Sequence, residues 1–284
     1  MLDYFNIYLI NLDRRPDRLF RVKSRLEQIA LPFIRVSAVD GKDPYAPLAK
    51  AQYHRYIINQ KKRPVQGELA CAASHIEAWK LFLKSEAKQA LILEDDVTIS
   101  DDLKFFLEEY SKNPKLDFLN ISSKEPYCVD KKDVNAVIND GIFTRPNVFQ
   151  PKKRRQWRKM EWRRTWRIFK IHLMGSHKII CECDPSPALG SGYIISRRAA
   201  ESFLKESRNL YFPIDLIWRF SSGNLSQGFL TIPLVSQTNN DTDIDGRFDQ
   251  GRIPLIYRIA RPFLKSRRLK RRLDVIRIYG ILRH

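Results

Sequence analysis

Three consecutive acids end an apolar, strand-like run. The run Ala90 to Leu93 is followed by Glu94, Asp95 and Asp96. In open α/β sheets ligands bind beyond the carboxyl ends of strands, so these carboxylates stand where a site is expected. Because side chains alternate along a strand, the sequence predicts Glu94 and Asp96 on one side and Asp95 on the other.

Two carboxylates on one side repel each other unless a cation lies between them. Hard oxygen ligands suit Mg²⁺ or Mn²⁺, and such an ion commonly bridges substrate phosphates. Departure of a nucleoside diphosphate from a sugar needs this arrangement, since the metal neutralises the charge that the leaving group gains. Taken alone, the pattern makes Glu94 and Asp96 candidate metal ligands, and one further interpretation is equally open. The alternative interpretation is an acidic cap for the next helix.

Further polar side chains follow the first predicted strand, Phe5 to Ile10. Asn11 and Arg15 lie where a polar side chain can bind a uracil or ribose and a guanidinium can pair with diphosphate oxygens. Arg18 has the same chemistry, but it fits the solvent face of the following helix equally well. We predict donor binding by Asn11 and Arg15, and Arg18 keeps both interpretations.

The elements that must position these residues alternate between strands and helices. Leu19, Val22, Leu26 and Ile29 recur at spacings of three and four, which predicts a helix over about residues 17–30. The same kind of pattern predicts helices at 67–83 and 197–208 and strands at 33–39, 89–93, 115–121, 192–196 and 229–235. The fold class is therefore α/β, with a parallel or mixed sheet flanked by helices.

The excess of positive charge is confined to two segments. Residues 145–170 carry 11 Lys or Arg and one acid, and residues 258–284 carry 10 and one acid. The rest of the chain has 30 bases and 30 acids, so a nearly neutral body carries two cationic segments, which predicts an anionic surface as partner. We predict one catalytic domain over 1–257, with 145–170 as a basic insertion, and a basic amphipathic tail over 258–284.

Nucleic acid is the competing partner, because Trp and Arg interleaved between residues 145 and 170 can stack on bases and contact phosphates. The confinement of the charge and the acidic strand end argue against it, so no nucleic acid is expected. A metal-dependent phosphodiesterase that uses the same carboxylates is a third interpretation. The five histidines are scattered and do not obviously supply its further ligands.

No secretory signal is readable at the start of the sequence, and no apolar run reaches the roughly 18 residues needed to span a bilayer. Cys71, Cys128, Cys181 and Cys183 lack paired C-x-x-C spacing, which predicts reduced thiols in a cytosol. Cys181 and Cys183 are a weak metal or redox candidate and are expected to be structural. We expect a cytoplasmic protein on the inner face of the membrane.

Five motifs occur in a family's order over most of residues 5–240. They are Ile10 to Arg18, Gly67 to His75, Ala90 to Val97, Gly192 to Ala200, and Pro213 to Asp215. In these motifs the chain resembles glycosyltransferase family 25, the lipooligosaccharide galactosyltransferase-like enzymes related to procollagen galactosyltransferases. The resemblance implies a GT-A-like fold, a nucleotide-sugar donor such as UDP-galactose, a divalent metal (Mn²⁺ or Mg²⁺), and inverting transfer to a lipooligosaccharide or lipopolysaccharide core sugar.

The resemblance also bears on single residues. The acidic triplet matches the family's metal-binding D-x-D element, with Asp95 among the donor-binding residues. A lone histidine beside an apolar helix face is usually a core residue, but the resemblance favours Glu68, Ser74 and His75 for the donor pocket. No nucleophile elbow surrounds Ser74, so Ser74-His75 is not interpreted as a hydrolase dyad.

An inverting transfer requires a carboxylate away from the metal, to take the proton of the acceptor hydroxyl. Asp215 stands in a mostly apolar stretch after Pro213, which predicts the first turn of a helix and a raised carboxyl pKa. We predict Asp215 as the catalytic base. The alternatives are a favourable interaction with the helix dipole and a contact to the donor sugar.

Two regions depart from the family pattern. They are the Arg- and Trp-rich stretch 145–170 and the segment from Gln237 to Asp245, so the acceptor and a late metal ligand such as Asp243 stay open.

The two basic segments are predicted to hold the enzyme on an anionic membrane that displays a lipid-linked oligosaccharide acceptor. Trp157, Trp162 and Trp166 suit the headgroup interface. Apolar side chains predict an amphipathic helix in the tail: Leu269, Leu273, Val275, Ile276, Ile278 and Leu282. An ordinary solvated charged helix is the alternative.

Overall fold

A large mixed sheet, flanked by helices, forms the centre of the protein. The computed structural model describes residues 5–162, 165–175, 178–221, 224–238 and 266–283. The strands are β1 (Phe5–Asn11), β2 (Ile34–Ser37), β3 (Gln89–Glu94), β4 (Val97–Ile99), β5 (Phe118–Asn120), β6 (Arg167–Leu173), β7 (Ile179–Asp184), β8 (Gly192–Ser196), β9 (Gln227–Leu230) and β10 (Val235–Gln237). Eight of them form one sheet in the order β2-β1-β3-β8-β5-β9-β7-β6, and β4 pairs with β10. The predicted α/β class with a mixed sheet is confirmed.

The helices cover both faces of this sheet. They are α1 (Pro16–Gln28), α2 (Tyr53–Gln60), α3 (Gln66–Lys84), α4 (Leu103–Lys112), α5 (Lys131–Asn139), α6 (Pro151–Trp157), α7 (Arg197–Glu206), α8 (Ile217–Phe220) and α9 (Ser266–Tyr279). The predicted helices over 17–30, 67–83 and 197–208 are therefore confirmed to within a few residues. None of the described helices is long and apolar enough to cross a membrane.

Strand β1 shows how the sequence builds two cores. Its odd positions Phe5, Ile7 and Leu9 pack on one face with α1 and α4, and its even positions Tyr8 and Ile10 pack on the other with α3 and α7. This alternation follows from the two-residue period of a strand. Strands β1, β2 and β3 run parallel, so their carboxyl ends meet at one edge of the sheet. Strand β8 returns antiparallel beside β3.

The basic stretch 145–170 takes part in the fold. Helix α6 lies within it, and its last residues belong to β6 at the edge of the central sheet. Trp157 is 0% exposed in a third core with Val134, Met160 and Ile168, and its indole N–H donates to the Ile168 carbonyl at 2.8 Å. The prediction that Trp157 lies at a membrane interface is therefore wrong. A tryptophan with a satisfied N–H is stable in a core, whatever the charge of its neighbours.

Helix α9 packs against the sheet edge. Val275, Ile278 and Tyr279 contact Phe169, and the Tyr279 ring stacks on the Phe169 ring at 3.9 Å between centroids. The Arg271 guanidinium donates to Asp184 Oδ2 at 2.6 Å. Part of the apolar face predicted for a membrane is thus turned towards the protein, which corrects the prediction for Val275 and Ile278.

The remaining tail side chains differ in their exposure. Ile276 is partly buried, Leu273 and Leu282 are exposed, and the Leu269 side chain lies outside the described ones. Asp243, which precedes the tail, also lies outside the described residues. The division of the chain at residue 257 stays a prediction.

All four cysteines are free thiols. Cys181 and Cys183 are buried in β7, where burial raises the pKa of the Cys181 thiol to about 12. A thiol held in its neutral form is a poor nucleophile and a poor metal ligand, which supports the structural interpretation of this pair.

Candidate functional site

A cavity of about 440 Å³ opens at the carboxyl ends of β1 and β3. Pockets of this size hold small molecules and cofactors. Part of its wall comes from a close approach of two chain segments: a Cβ atom at Gly41 would lie 2.8 Å from the Cα of Gly67 at the start of α3. Only glycine allows the loop after β2 to lie so near the helix. The acids Glu94, Asp95 and Asp96 all line the cavity.

Asp95 is held by the scaffold. Strand β3 ends at Glu94, so strand alternation does not extend to Asp96, and Asp95 instead occupies the turn that follows. Its carboxylate accepts hydrogen bonds from Asn11 Nδ2 at 2.7 Å and from Arg18 Nη1 at 3.3 Å. Burial raises the pKa of Asp95, and the bonds from Asn11 and Arg18 oppose that rise. Asn11, Arg18 and Asp95, all predicted to bind the donor, therefore contact one another.

Arg18 and Asn11 are both buried, but they differ in access to the cavity. Arg18 lines it, so the alternative that Arg18 lies on the solvent face of α1 is wrong. Asn11 lies behind the wall, where it also donates to the Arg15 carbonyl at 3.0 Å. Arg15 does not line the cavity: its guanidinium contacts Asp17 at 2.9 Å on the surface. Its neighbour Arg14 lines the cavity instead.

Asp96 carries an unsatisfied oxygen. Gln237 Nε2 donates to its Oδ2 at 2.8 Å, whereas its Oδ1 is buried and has no hydrogen-bond partner among the described residues. Burial, and then the nearby Glu94 carboxylate, raise the pKa of Asp96 to about 6. A buried carboxylate oxygen beside a second carboxylate lacks a positive partner, and a hard divalent cation would supply one. Glu94 and Asp96 fit such an ion.

A second set of ligand atoms shares Glu94. Cys71 Sγ, His75 Nε2 and a Glu94 oxygen lie within 4.8 Å of one another. His75 Nε2 is 3.0 Å from Glu94 Oε1, and Cys71 Sγ is 3.9 Å from it. Sulfur and imidazole ligands suit Zn²⁺, whereas carboxylates suit Mg²⁺ and Mn²⁺. The site therefore offers two chemically different sets of ligands.

Glu68 and Ser74 line the cavity, but their polar atoms are engaged within the fold. Glu68 accepts from Lys62 Nζ at 2.6 Å, from the Tyr56 hydroxyl at 3.0 Å and from the Val65 N–H at 3.3 Å, which caps α3. Ser74 Oγ donates to the Ala70 carbonyl and accepts from the Val39 N–H at 2.8 Å. These contacts shape the wall of the pocket. A donor contact by either side chain stays a prediction.

Asp215 stands in the cavity wall on a 3-10 turn, Ile214–Leu216, that leads into α8. The chain passes close to it at Gly190, where a Cβ atom would lie 3.6 Å from the Asp215 Cβ and 3.9 Å from His75 Cε1. Asp215 and His75 therefore face the same small space beside Gly190. The Asp215 charge also acts on Arg219, whose pKa is lowered mainly by burial and partly restored by this carboxylate.

The sequence did not identify the residues that reach the acids from the far end of the chain. Gln237 ends β10 and Thr238 follows it, and β10 pairs antiparallel with β4 just after the triplet. The Thr238 N–H and hydroxyl both donate to the Asp96 carbonyl at 2.8 Å. No local pattern marks them, since they reach Asp96 only through the pairing of strands that lie about half of the chain apart.

The comparisons with known proteins agree with one another. The family model described as glycosyltransferase family 25 (LPS biosynthesis protein) matches residues 5–218. A "Glycosyltransferase 25 family member" of Drosophila pseudoobscura pseudoobscura is 33% identical over 97 residues, 32% of this chain and 16% of the relative. "Procollagen galactosyltransferase 2" of Mus musculus is 32% identical over 108 residues, 36% of this chain and 17% of the relative.

A more distant relative covers more of the chain. "Procollagen lysyl hydroxylase and glycosyltransferase" of Acanthamoeba polyphaga mimivirus is 28% identical over 149 residues, 46% of this chain and 16% of the relative. The aligned segment thus spans only about a sixth of each of these relatives. The family model, in contrast, extends over most of the described sheet and its cavity. The chain belongs to glycosyltransferase family 25.

Proposed function

We propose that this protein has a GT-A-like fold and transfers galactose from UDP-galactose, with inversion, to a core sugar of a lipooligosaccharide or lipopolysaccharide. The observation that carries the proposal is the unsatisfied Asp96 oxygen beside Glu94, in a cavity of about 440 Å³. Galactose is supported by the names of the procollagen galactosyltransferase relatives. The acceptor is supported by the description of the family, which names LPS biosynthesis.

Glu94 and Asp96 would hold a divalent ion, Mn²⁺ or Mg²⁺. When bound, such an ion neutralises charge on the departing diphosphate. The protein contributes the position of both carboxylates: Gln237 orients Asp96, and His75 contacts Glu94. The Arg18 guanidinium, held in place by Asp95, lines the cavity, and a guanidinium there can pair with diphosphate oxygens. We assign Arg18 and Asp95 to the donor side of the pocket for this reason.

Asp215 is the proposed base. It lines the same cavity as Glu94 and Asp96 but comes from a different element, which suits a carboxylate that does not bind the metal. As the acceptor hydroxyl attacks the anomeric carbon, its proton passes to an Asp215 carboxylate oxygen, and the bond to the diphosphate breaks on the opposite face of the sugar. Asp215 and His75 both lie beside Gly190, which places the proposed base next to the histidine that contacts Glu94.

We further propose that the enzyme works in the cytoplasm, on an anionic membrane surface. The support is a set of exposed apolar side chains close to basic ones. Phe149 is 77% and Ile281 71% exposed. Arg154 of α6 donates to the Leu282 carbonyl at 3.2 Å, so the residues after α9 lie against α6, which also carries the exposed Lys152 and Lys153. Apolar side chains within a cationic surface suit a headgroup interface.

Donor binding tests the proposal directly. The melting temperature would be measured with a panel of nucleotide sugars, each with Mn²⁺ and with EDTA. A ligand that binds only the folded state raises it, so UDP-galactose with Mn²⁺ should give the largest increase. Release of UDP with an oligosaccharide acceptor, against hydrolysis of nucleic acid or a phosphodiester, then separates the transferase from its competitors. Hydrolysis of a phosphodiester without UDP release would reject the transferase.

Membrane binding has its own test. Sedimentation with anionic liposomes should fall at high salt, and the pair Lys152→Gln with Lys153→Gln should weaken it, since each charge contributes about 1 kcal/mol near an anionic surface. Lys23→Gln with Lys88→Gln, on exposed positions of other elements, is the matched control. Equal binding to neutral liposomes would contradict an electrostatic surface.

A further inference from the structure

A chain of buried hydrogen bonds leads from the helix core to Glu94. Trp79 Nε1 is 2.9 Å from the Tyr193 hydroxyl oxygen, and that oxygen is 2.8 Å from His75 Nδ1. The other ring nitrogen, His75 Nε2, lies 3.0 Å from Glu94 Oε1. Trp79 and His75 come from α3, Tyr193 from β8 and Glu94 from the end of β3, and the first three are buried.

The direction of each bond follows from which atoms carry hydrogen. An indole N–H only donates, so the Tyr193 oxygen accepts from Trp79. Among the described residues, the Tyr193 hydroxyl has His75 Nδ1 as its only acceptor, so it donates there. Nδ1 then carries no hydrogen, and the ring N–H is at Nε2, pointing at the Glu94 carboxylate. The opposite order would leave the buried Tyr193 hydroxyl hydrogen without an acceptor, which is costly.

We infer that Trp79 and Tyr193 are positioning residues of the donor site: they fix the tautomer of His75, whose Nε2–H holds Glu94 beside Asp96. This inference rests on the proposed function, in which Glu94 and Asp96 hold the metal. Without a restraint, two neighbouring carboxylates would rotate apart. A hydrogen bond from a fixed imidazole keeps one Glu94 oxygen in place, as partners of metal-binding carboxylates do elsewhere.

The same order of bonds distinguishes the two sets of ligand atoms in the cavity. A nitrogen that carries hydrogen has no lone pair for a metal, so His75 Nε2 is a donor to Glu94 and not a ligand. The set made by Cys71, His75 and Glu94 therefore lacks its imidazole. The carboxylate pair remains, and with it a preference for Mn²⁺ or Mg²⁺ over Zn²⁺.

The experiment has two independent readouts. The first is the ring tautomer of His75, from long-range ¹H–¹⁵N correlation spectra assigned with His75→Gln. Wild type should show hydrogen on Nε2, and Tyr193→Phe should lose this preference. The second is the Mn²⁺-dependent affinity for UDP, from calorimetry. Tyr193→Phe should weaken it about tenfold, as loss of such partners does. Trp79→Phe keeps the Tyr193–His75 bond and should have a smaller effect.

Tyr8→Phe is the matched control, because Tyr8 is a buried tyrosine of the same sheet. Within the part of the chain that the structure describes, its hydroxyl accepts from Asn6 Nδ2 and has no other side-chain partner. His75→Gln, which keeps an N–H donor near Nε2, should retain more UDP affinity than His75→Leu. Equal losses of UDP affinity for these two variants, or for Tyr193→Phe and Tyr8→Phe, would mean that Trp79, Tyr193 and His75 contribute only to packing.

The remaining outcomes distinguish failure of the positioning role from failure of the proposed function. Hydrogen on Nδ1 in wild type would overturn the bond order itself. A changed tautomer in Tyr193→Phe with unchanged UDP affinity would overturn the positioning role while leaving the proposed function intact. A wild-type protein that has the Nε2–H tautomer but binds no nucleotide with Mn²⁺ would instead overturn the proposed function, and the positioning role with it.

Discussion

Acidic and basic runs both stand out in this sequence, and the fold places them in opposite ways. The acids Glu94 to Asp96 end a central strand and line a cavity. The bases of 145–170 and of α9 are partly turned inward. Arg145 makes a two-bonded, buried pair with Glu161, at 2.8 and 3.0 Å, and Arg271 contacts Asp184. A run of like charge therefore does not by itself predict that its side chains are exposed. The position of the run relative to the end of a strand is the better indicator of a site.

The difference lies in the partners. Arg145 and Arg271 each have an acid opposite them, so their charges are neutralised within the fold. At the strand end Asp95 likewise pairs with a cation, Arg18, and accepts a further hydrogen bond from Asn11. Asp96 Oδ1 has no hydrogen-bond partner among the described residues, and its neighbour Glu94 adds charge of the same sign. The unneutralised Asp96 oxygen is therefore the atom of this cluster to which a cation would bind, whereas the pairs made by Arg145 and Arg271 stabilise the fold.

The largest effect should come from removing the unneutralised charge. Asp96→Asn preserves volume and the bond from Gln237 but loses one anionic oxygen. Metal stabilisation of a leaving group is worth several kcal/mol, so UDP release should fall by about a thousandfold or more. Asp101→Asn, at an exposed acid, is the control and should keep its activity. Full activity of Asp96→Asn in EDTA would remove the metal from the proposal.

The converse change tests the structural role of the basic stretch. Trp157→Ala opens a cavity in the third core and leaves the Ile168 carbonyl without its donor, so it should lower the free energy of unfolding by about 3–5 kcal/mol. Trp162→Ala, at a side chain that is 41% exposed in the same stretch, should change it by less than about 1 kcal/mol. Urea denaturation measures both. Similar values for the two variants would contradict the difference between a buried Trp157 and an exposed Trp162.

The sequence predicted the local elements better than the contacts between them. Residues 5–30 and 67–94 carry strong periods of two or 3.6, and their strands and helices lie where predicted. Position after a strand also identified the acidic cluster. Burial of Trp157 was missed, because composition alone does not tell a surface tryptophan from a core one. Arg15 was chosen over Arg14, since one residue of register in a loop has no periodic signal.

The sequence did not predict the contacts between distant parts of the chain. Tyr193 meets Trp79 and His75 only because β8 folds back antiparallel beside β3. Gln237 reaches Asp96 only through the pairing of β10 with β4. Each depends on strand order, which a single sequence does not specify. The late ligand suggested at Asp243 lies outside the described residues.

Asp215 separates catalysis from metal binding. Loss of a positioned base costs roughly a hundredfold or more, so Asp215→Asn should lower the turnover number by that factor while UDP-galactose affinity changes little. The matched control is Asp133→Asn, an acid in the first turn of α5, which has the same favourable interaction with a helix dipole but lies elsewhere. Normal turnover, or lost donor affinity with normal turnover, would exclude Asp215 as the base.

The smallest expected effect is on the pH dependence of the free energy of unfolding of the metal-free protein. The pKa of Asp96 is raised to about 6 by burial and by the neighbouring Glu94. The folded state thus binds this proton more tightly than the unfolded state does. Stability is greatest below about pH 4 with respect to this group, and it is lost as the pH rises through about 6.

Asn at this position has no charge, so the metal-free Asp96→Asn variant should be more stable than wild type above pH 6, by about 1–3 kcal/mol. The difference should vanish near pH 4, where Asp96 is protonated. Thermal unfolding in EDTA from pH 4 to 8 measures it, with Asp101→Asn expected to show no such crossover. Addition of Mn²⁺ at pH 8 should reverse the order, because the cation stabilises the ionised carboxylate only in wild type. A variant that is less stable than wild type at pH 8 in EDTA would mean that Asp96 is already neutralised within the fold, like the paired charges of the basic stretch.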